Sequence, residues 1–369
     1  MGRDTPTSSH VPHSSRKAAR SKLARHSLTH TLPSVFSSSS RARTGIQSTA
    51  LLTDIPSLPA PPRNTPPPKV ALYNTDTLLA ARALNSPGYK VGVLNMASPL
   101  RPGGGFLQGA FSQEESLCLR TTLYPALQER YYRLPDVGVL YTPDVMVYRD
   151  PEDKELSKAE RWFVDVASAG MMRFPDVLEG RYVREKDREM VRGKMRMVMR
   201  AFVEAGVKRV VLGAWGCGAY GNPVVEVVEA WKSVLVGGKR GMKEEWKGVE
   251  EVVFAILDES MAEEWKSLWG DGMEISSLGA DGGEAAGSEK EQVVETADDK
   301  DKRLELEGAE RDVVELKEKI EDMQGQVEGL RNEALKQRLG QVLDGLKAEV
   351  VEKEKLVEEL EEYKRSRGI

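Results

Sequence analysis

In the stretch NMASPLRPGGGFLQGAFSQEESLCLRTTLY (residues 95–124), seven residues separate Gly103, Gly104 and Gly105 from Gln113, Glu114 and Glu115. Three glycines bring no side chains, so such a turn supplies close backbone approach and permissive dihedrals. Two carboxylates close to a sugar are what glycosidic cleavage uses, through an oxocarbenium-like transition state. Crowding and desolvation would raise the pKa of one of them and keep it protonated as an acid. A plainer account is open as well. Ser112-Gln113-Glu114-Glu115 satisfies S-x-x-E, a capping box in front of an apolar run. Neighbouring helical residues point about 100° apart, so one acid can face a pocket while the other braces a second group.

A second glycine-rich stretch, GAWGCGAYGN (Gly213 to Asn222), lies between a strand-like run and a helix-like one. Gly216, Gly218 and Gly221 fit G-x-G-x-x-G, which makes a dinucleotide site a rival reading. Against it, the motif comes late in the α/β pattern, and no acidic residue ends a second strand about 20 residues on. Backbone N–H groups at a helix start can cradle a diphosphate whatever the nucleotide. Tyr220 in that loop is a surface aromatic or a base-stacking one, and Trp215 is expected in the core. Asp76 follows the first strand of this region, where it also makes a good helix-start residue.

The histidines narrow the chemistry. All four (His10, His13, His26, His30) fall in the first thirty residues. That excludes a Ser-His-Asp or Cys-His hydrolase, and a histidine-based zinc site, from the region that holds both glycine loops. Cys118 and Cys217, the two cysteines, are a hundred residues apart and read as buried small apolar residues. Their number implies a reducing, intracellular compartment: nuclear, cytoplasmic or mitochondrial. No Asp/His cluster suggests a metal.

The elements that must position these groups follow from hydrophobic period. Strands are expected at VALYN, at VGVLNM ending on Asn95, in VGVLYTPDVMVYRD, in RWFVDVASAG, at KRVVL and in EEVVFAILD. Helices are expected over Thr75–Asn85, Gln113–Leu127, Arg184–Ala205 and Pro223–Val236. Such alternation predicts a three-layer α/β sandwich.

The ends differ in texture. Residues 1–68 are rich in Ser, Arg, Thr and Pro, and Asp4 is the one acidic residue before Asp54. They read as a disordered start (1–13), then a helical segment and a proline-rich connector (14–68), or else as a basic transit segment. Residues 69–270 form the α/β domain, and 271–301 an acidic, glycine-rich linker. In 302–366, Leu306, Val313, Ile320 and Val327 recur every seven residues, with Ala309, Leu316, Met323 and Leu330 between them. That is the seam of a coiled coil for self-association or a protein partner, or one charged helix weakened by Gly325, Gly329, Gly340 and Gly345. The net charge of −5 gives no reason to expect nucleic-acid binding by the whole chain. No apolar run approaches the roughly 20 residues needed to span a bilayer.

The words ASP…PGGGF and QEESLCLRTTLYP, with VGVLNMA before them, resemble the signature of the microbial (bacterial-type) poly(ADP-ribose) glycohydrolase family. LGAWGCGAYGNP resembles that family's diphosphate loop, and RKAARSKLARHSLTHTLPSVF its helical segment before the catalytic domain. The resemblance covers about residues 14–270 and implies a macrodomain fold with a mixed central sheet. It implies hydrolysis of ribose–ribose bonds in poly(ADP-ribose), mainly from the free end, with Glu115 as acid and then base. Glu114 and Asn95 would hold hydroxyls of the terminal ribose, and Gln113 would fix the loop. The amides of Gly103, Gly104 and Gly105 would sit against ribose and phosphate. Gly216, Cys217, Gly218 and Ala219 would cradle the diphosphate, Tyr220 would stack on adenine, and Asp76 would take its amino group. The family works without a metal or cofactor. Two other readings share the same residues: a reader that binds ADP-ribose without cutting, and a coiled-coil scaffold carrying a degenerate enzyme domain.

Overall fold

The computed structural model describes residues 13–62, 65–237, 244–270, 273, 275–276 and 333–367, with isolated positions between 302 and 324. The expected disordered start and most of the acidic linker lie outside the described residues. The chain divides into two units, Met1–Ala286 and Gly287–Ile369.

The first unit is built on a mixed sheet in the order β1-β4-β5-β3-β8-β9-β2-β10. Its strands are β1 (Ala50–Leu52), β2 (Lys69–Tyr73), β3 (Val91–Ala97), β4 (Val139–Val147), β5 (Trp162–Gly170), β8 (Arg209–Leu212), β9 (Glu251–Ala255) and β10 (Ile275–Ser276); β6 (Val177–Leu178) and β7 (Arg181–Tyr182) form a separate hairpin. β4 runs antiparallel to both neighbours, and the pairs from β5 across to β10 are parallel. Parallel strands need both faces covered, so their side chains alternate between two apolar layers. Val93, Val211 and Val253 point into the layer holding Leu78, Ala81 and Leu117. Leu94, Leu212 and Phe254 point the other way, among Met195, Phe202, Trp231 and Trp265. Burying a large apolar side chain is worth roughly 1.5–3 kcal/mol, so these two layers carry the fold.

The covering helices are α4 (Thr77–Leu84) and α5 (Gln113–Arg120) on the first face, and α6 (Glu185–Glu204), α7 (Val224–Leu235) and α8 (Glu259–Trp269) on the second. Asp76 caps α4 by accepting from Leu78 N and Leu79 N, and Asp258 caps α8 by accepting from Met261 N. The α8 helix extends the sandwich beyond the elements expected from the sequence. Conversely, α5 ends at Arg120, not at Leu127. Thr121 turns extended (φ −134°), its hydroxyl donates back to Leu117 O, and Thr122 N donates to Met146 O of β4. Leu123 and Leu127 are buried all the same, through a short 3-10 turn at Tyr124–Ala126.

Ahead of the sheet, α1 (His13–His26) continues through a π-turn at Ser27–Thr31 into α2 (Leu32–Ser38) and α3 (Ser40–Gln47). This extension is locked to the domain by Arg149, fully buried, which donates to Ser27 Oγ at 2.7 Å and to Leu119 O at 2.9 Å. The proline-rich connector then carries the chain from β1, at one edge, to β2 near the other. On the way Leu58 N donates to Glu244 and Arg200 donates to Ile55 O. Among the described residues no helix is long and apolar enough to cross a membrane.

In the second unit α9 spans Glu333–Arg367. Leu306 and Ala309 pack against Leu356, Val357 and Leu360, so part of the heptad seam closes within the chain.

Candidate active site

β3 is central, but β8 pairs only with its first three residues, leaving Leu94–Ala97 without a neighbour on that side. Gln113 fills the gap. Its Oε1 accepts from Met96 N at 3.0 Å, and its Nε2 donates to Leu94 O at 2.7 Å and to Thr77 Oγ1 at 3.3 Å. One side-chain amide thus continues the ladder where the strand stops, and it fixes the start of α5 against the end of β3. The expectation that Gln113 braces the loop becomes a specific contact with the strand.

The next residue turns inward. Glu114 is buried, with Oε2 accepting from Ser98 N at 2.8 Å and Oε1 within 3.4 Å of Asn95 Nδ2. Burial pushes its carboxyl up to about 8. The neighbouring Glu115 carboxyl adds to the rise, while the donors at Ser98, Asn95 and Gly103 pull it back. At neutral pH this acid is mainly protonated. The sequence expects crowding to keep one member of the pair neutral, with Glu115 assigned as the acid; the carboxyl that burial raises is that of Glu114. Asn95 also donates to Ser168 Oγ at 3.0 Å, and its Oδ1 is buried with no hydrogen-bond partner.

Glu115 points a third way. Its Oε1 accepts from Gly105 N at 2.8 Å, and Ser112 Oγ donates to its Oε2. The capping box is not made: Ser112 precedes α5, but its side chain bonds no backbone N–H of the helix. The acid that would have closed the box faces the glycine turn instead. Gly103 (φ +65°) and Gly104 (φ +53°) occupy left-handed backbone, and a methyl on Gly104 would lie 2.7 Å from Glu115 Oε1 and 3.0 Å from Glu114 Oε2. Both carboxyls therefore crowd the space over one glycine. The amides of the turn are largely committed inside it: Gly105 N to Glu115, Gly104 N to Arg101 O, and Gly103 to Glu114. What the turn offers a ligand is close approach.

The second loop leaves the C-terminal end of β8, beside β3, and Met96 of β3 reaches Gly213. Cys217 N donates to Ala214 O and Gly221 N to Gly218 O, so the loop folds on itself; Gly218 and Ala219 are exposed. Gly216 takes φ +81° and packs against Met171. Asn222, which the sequence reading passed over, is buried and donates to Gly216 O and Met172 O, while Tyr182 Oη donates to its Oδ1 at 2.8 Å. Tyr220 stands edge-on to Phe174, 6.3 Å between centroids, with the Arg173 guanidinium over both rings. Nothing in the sequence singled out Phe174, since the contact joins loops more than forty residues apart. Trp215 is in the core beside Trp231, as expected. Cys118 and Cys217 are buried thiols, and burial raises both.

Asp76 stands after β2, and its carboxylate is taken up by the α4 cap and by Arg120 at 3.2 Å. Among the described residues no cluster of His, Cys, Asp or Glu could hold a metal. The dinucleotide rival fares poorly: Asp258, the first acid after β9, lies well beyond the spacing a ribose-binding acid needs and is spent on capping α8.

Loops gathered at the C-terminal ends of parallel strands, two crowded acids and a self-folded glycine loop define an α/β domain equipped for hydrolysing a sugar bond. Residues 40–150 match the family model described as the catalytic domain of microbial-type PARG. The fold is similar to that of poly(ADP-ribose) glycohydrolase (PARG) from Thermomonospora curvata, at 25% identity over 68% of this chain and 98% of that one, TM-score 0.54. The T. curvata enzyme bound to the inhibitor ADP-HPD matches with the same figures. PARG from Deinococcus radiodurans in complex with ADP-ribose is also similar, at 25% identity over 62% of this chain and 95% of that one, TM-score 0.49. No curated protein matches the sequence. Residues 40–150 are thus similar to the microbial-type PARG catalytic domain, and the fold around them is similar to that of bacterial PARG enzymes.

Proposed function

We propose that this chain hydrolyses the ribose–ribose O-glycosidic bonds of poly(ADP-ribose), working from the free end of the polymer, on a macrodomain. The observation that carries the reading is the placement of Glu115: its carboxyl is held by Gly105 N–H and the Ser112 hydroxyl at a glycine turn that bars any side chain. Glu115 gives its proton to the leaving ribose 2′-oxygen as the C1″–O bond breaks, and the sugar takes on oxocarbenium character. Water then adds at C1″ and returns a proton to Glu115, which restores the acid. Glu114, neutral through burial, bonds a hydroxyl of the terminal ribose. The partnerless Oδ1 of Asn95 accepts a second one. Gly216 to Ala219 take the diphosphate and Tyr220 the adenine.

Incubation with automodified polymer, followed by chromatography of the products, tests this. The wild-type chain releases ADP-ribose. Glu115→Gln binds ADP-ribose and releases none, and retained hydrolysis rejects the assignment. The reader alternative predicts binding with no turnover in either protein. For the tail, association with a second copy or a protein partner is a weaker reading, since Leu306 and Ala309 are already covered from within the chain. A chain ending at Gly270 that still binds ADP-ribose but sediments as a smaller species would support it. Two free, buried cysteines fit a reducing, intracellular compartment.

A further inference from the structure

Glu115 is also one wall of a shallow, open cleft whose other walls include Arg20 of α1, Phe106, Phe111, Leu119 and Asp153. Its walls include Glu115 but neither Glu114 nor any residue of β3. The cleft is built, because α1 is tied to the loop 106–111 by two hydrogen bonds. Arg20 Nε donates to Gly109 O at 2.9 Å, and Ser21 Oγ donates to Leu107 O at 2.7 Å. Gly109 is in left-handed backbone (φ +77°), and a methyl there would lie 2.0 Å from Lys17 O, so loop and helix meet in backbone contact. So anchored, the Arg20 guanidinium lies 5.3 Å over the ring of Phe111. Phe111 is nonetheless 67% exposed, an aromatic face open to solvent at the cleft mouth. Asp153, half-buried, places an acceptor in the same cleft.

An acid that protonates a leaving oxygen must face the leaving group. Resting on the glycohydrolase reading, the departing group is the adenosine of the penultimate unit, which carries a flat base, a ribose and a 5′-diphosphate. An exposed aromatic face, a fixed guanidinium and a carboxylate acceptor are the three partners such a group needs. We infer that the cleft between α1 and α5 is a leaving-group subsite, with the penultimate adenine on Phe111, its diphosphate at Arg20 and its ribose toward Asp153. The helical extension then does more than cover the sheet. It supplies the cation that separates a polymer chain end from a sugar linked to something without a nucleotide.

The test uses the full chain, its Phe111→Ala and Arg20→Gln variants, free ADP-ribose, and the 2′-linked dimer of ADP-ribose as substrate. Base–aromatic stacking is strong enough for Phe111→Ala to raise KM for the dimer about tenfold or more. Arg20→Gln, which keeps a donor for Gly109 O, raises it as well and weakens its dependence on salt. Both variants bind free ADP-ribose as the wild type does, which shows that the terminal-unit site and the loop are intact. Wild-type KM and kcat on the dimer in both variants would overturn the subsite while leaving the glycohydrolase standing. A parallel loss of ADP-ribose affinity would also overturn it, by assigning the cleft to the terminal unit. A wild-type chain that releases nothing from the dimer removes the function and the subsite together.

Discussion

Replacing Glu114 by Gln isolates the electrostatics of the buried acid. Burial moves this carboxyl from 4.5 to about 8 in the folded chain. A folded-state value above the unfolded one means that the native protein holds the proton more tightly. The contribution is therefore fully present below about pH 4.5 and is lost as the pH rises toward 8. At about 1.4 kcal/mol per pH unit, the interval sets an upper limit of roughly 5 kcal/mol, and local relaxation around Glu115 leaves roughly 2–4 kcal/mol. Glutamine has the shape of the neutral acid and keeps an oxygen for the Ser98 N–H, 2.8 Å away in the wild type, but it does not titrate. Urea unfolding of both proteins at pH 5, 6.5 and 8 gives the difference in stability at each pH. The wild type should lose stability relative to Glu114→Gln by at least ~2 kcal/mol between pH 5 and pH 8. At pH 7 the variant should still bind ADP-ribose, because the amide mimics the protonation state the site already holds. A stability gap that stays constant across this range, or moves the opposite way, refutes the placement of a dry carboxyl at 114.

Other substitutions test the scaffold. Gly104→Ala puts a methyl 2.7 Å from Glu115 Oε1 at φ +53°, so it should cost about 1–3 kcal/mol in a thermal melt and abolish polymer turnover. Gln113→Leu leaves Met96 N–H and Leu94 C=O without their partner; roughly 2 kcal/mol is expected in denaturant unfolding, with kcat falling as both acids lose their anchor. Tyr182→Phe removes the donor to Asn222 Oδ1 at the base of the second loop. It should raise KM for polymer and the Kd of ADP-ribose severalfold with little change in kcat, whereas equal losses in both would mark a merely structural role.

Much of this architecture was legible in the sequence, for identifiable reasons. Parallel strands buried on both faces read as unbroken apolar runs, so VGVLNMA and EVVFA stood out; which layer Val253 and Phe254 each enter came from the structure. The end of α5 did not, because Leu123 and Leu127 keep helical spacing while Thr121 leaves the helix to pair with β4. The α8 helix has its own signals in Asp258, Met261, Trp265 and Trp269, but they begin where the last strand run stops. Within the site, adjacent carboxyls on one helical turn were foreseeable. Which of them is dry was not, since that depends on Ser98 and Asn95 arriving from β3. The cleft of Arg20 and Phe111 was beyond reach of pattern, because it joins residues about ninety apart through a backbone contact at Gly109.

The QEE triplet shows why a capping motif and a catalytic one can share the same letters. Successive residues of a first helical turn diverge by about 100°, so three side chains fan out from one point. Gln113 takes the strand's missing ladder, Glu114 enters the dry space under Asn95, and Glu115 crosses to the glycine turn. Had Ser112 capped the helix, the third carboxyl would have turned back on the backbone and closed the opening. Its hydroxyl goes to that carboxyl instead, so the uncapped start of α5 gives up roughly 1 kcal/mol of helix stability in exchange for a positioned acid. The α4 helix, where Asp76 makes the conventional cap, carries no such group on its first turn. The loss at α5 is affordable only because Gln113 has already bound that turn to β3. The residue least expected to do chemistry is thus the one on which the geometry of the other two depends.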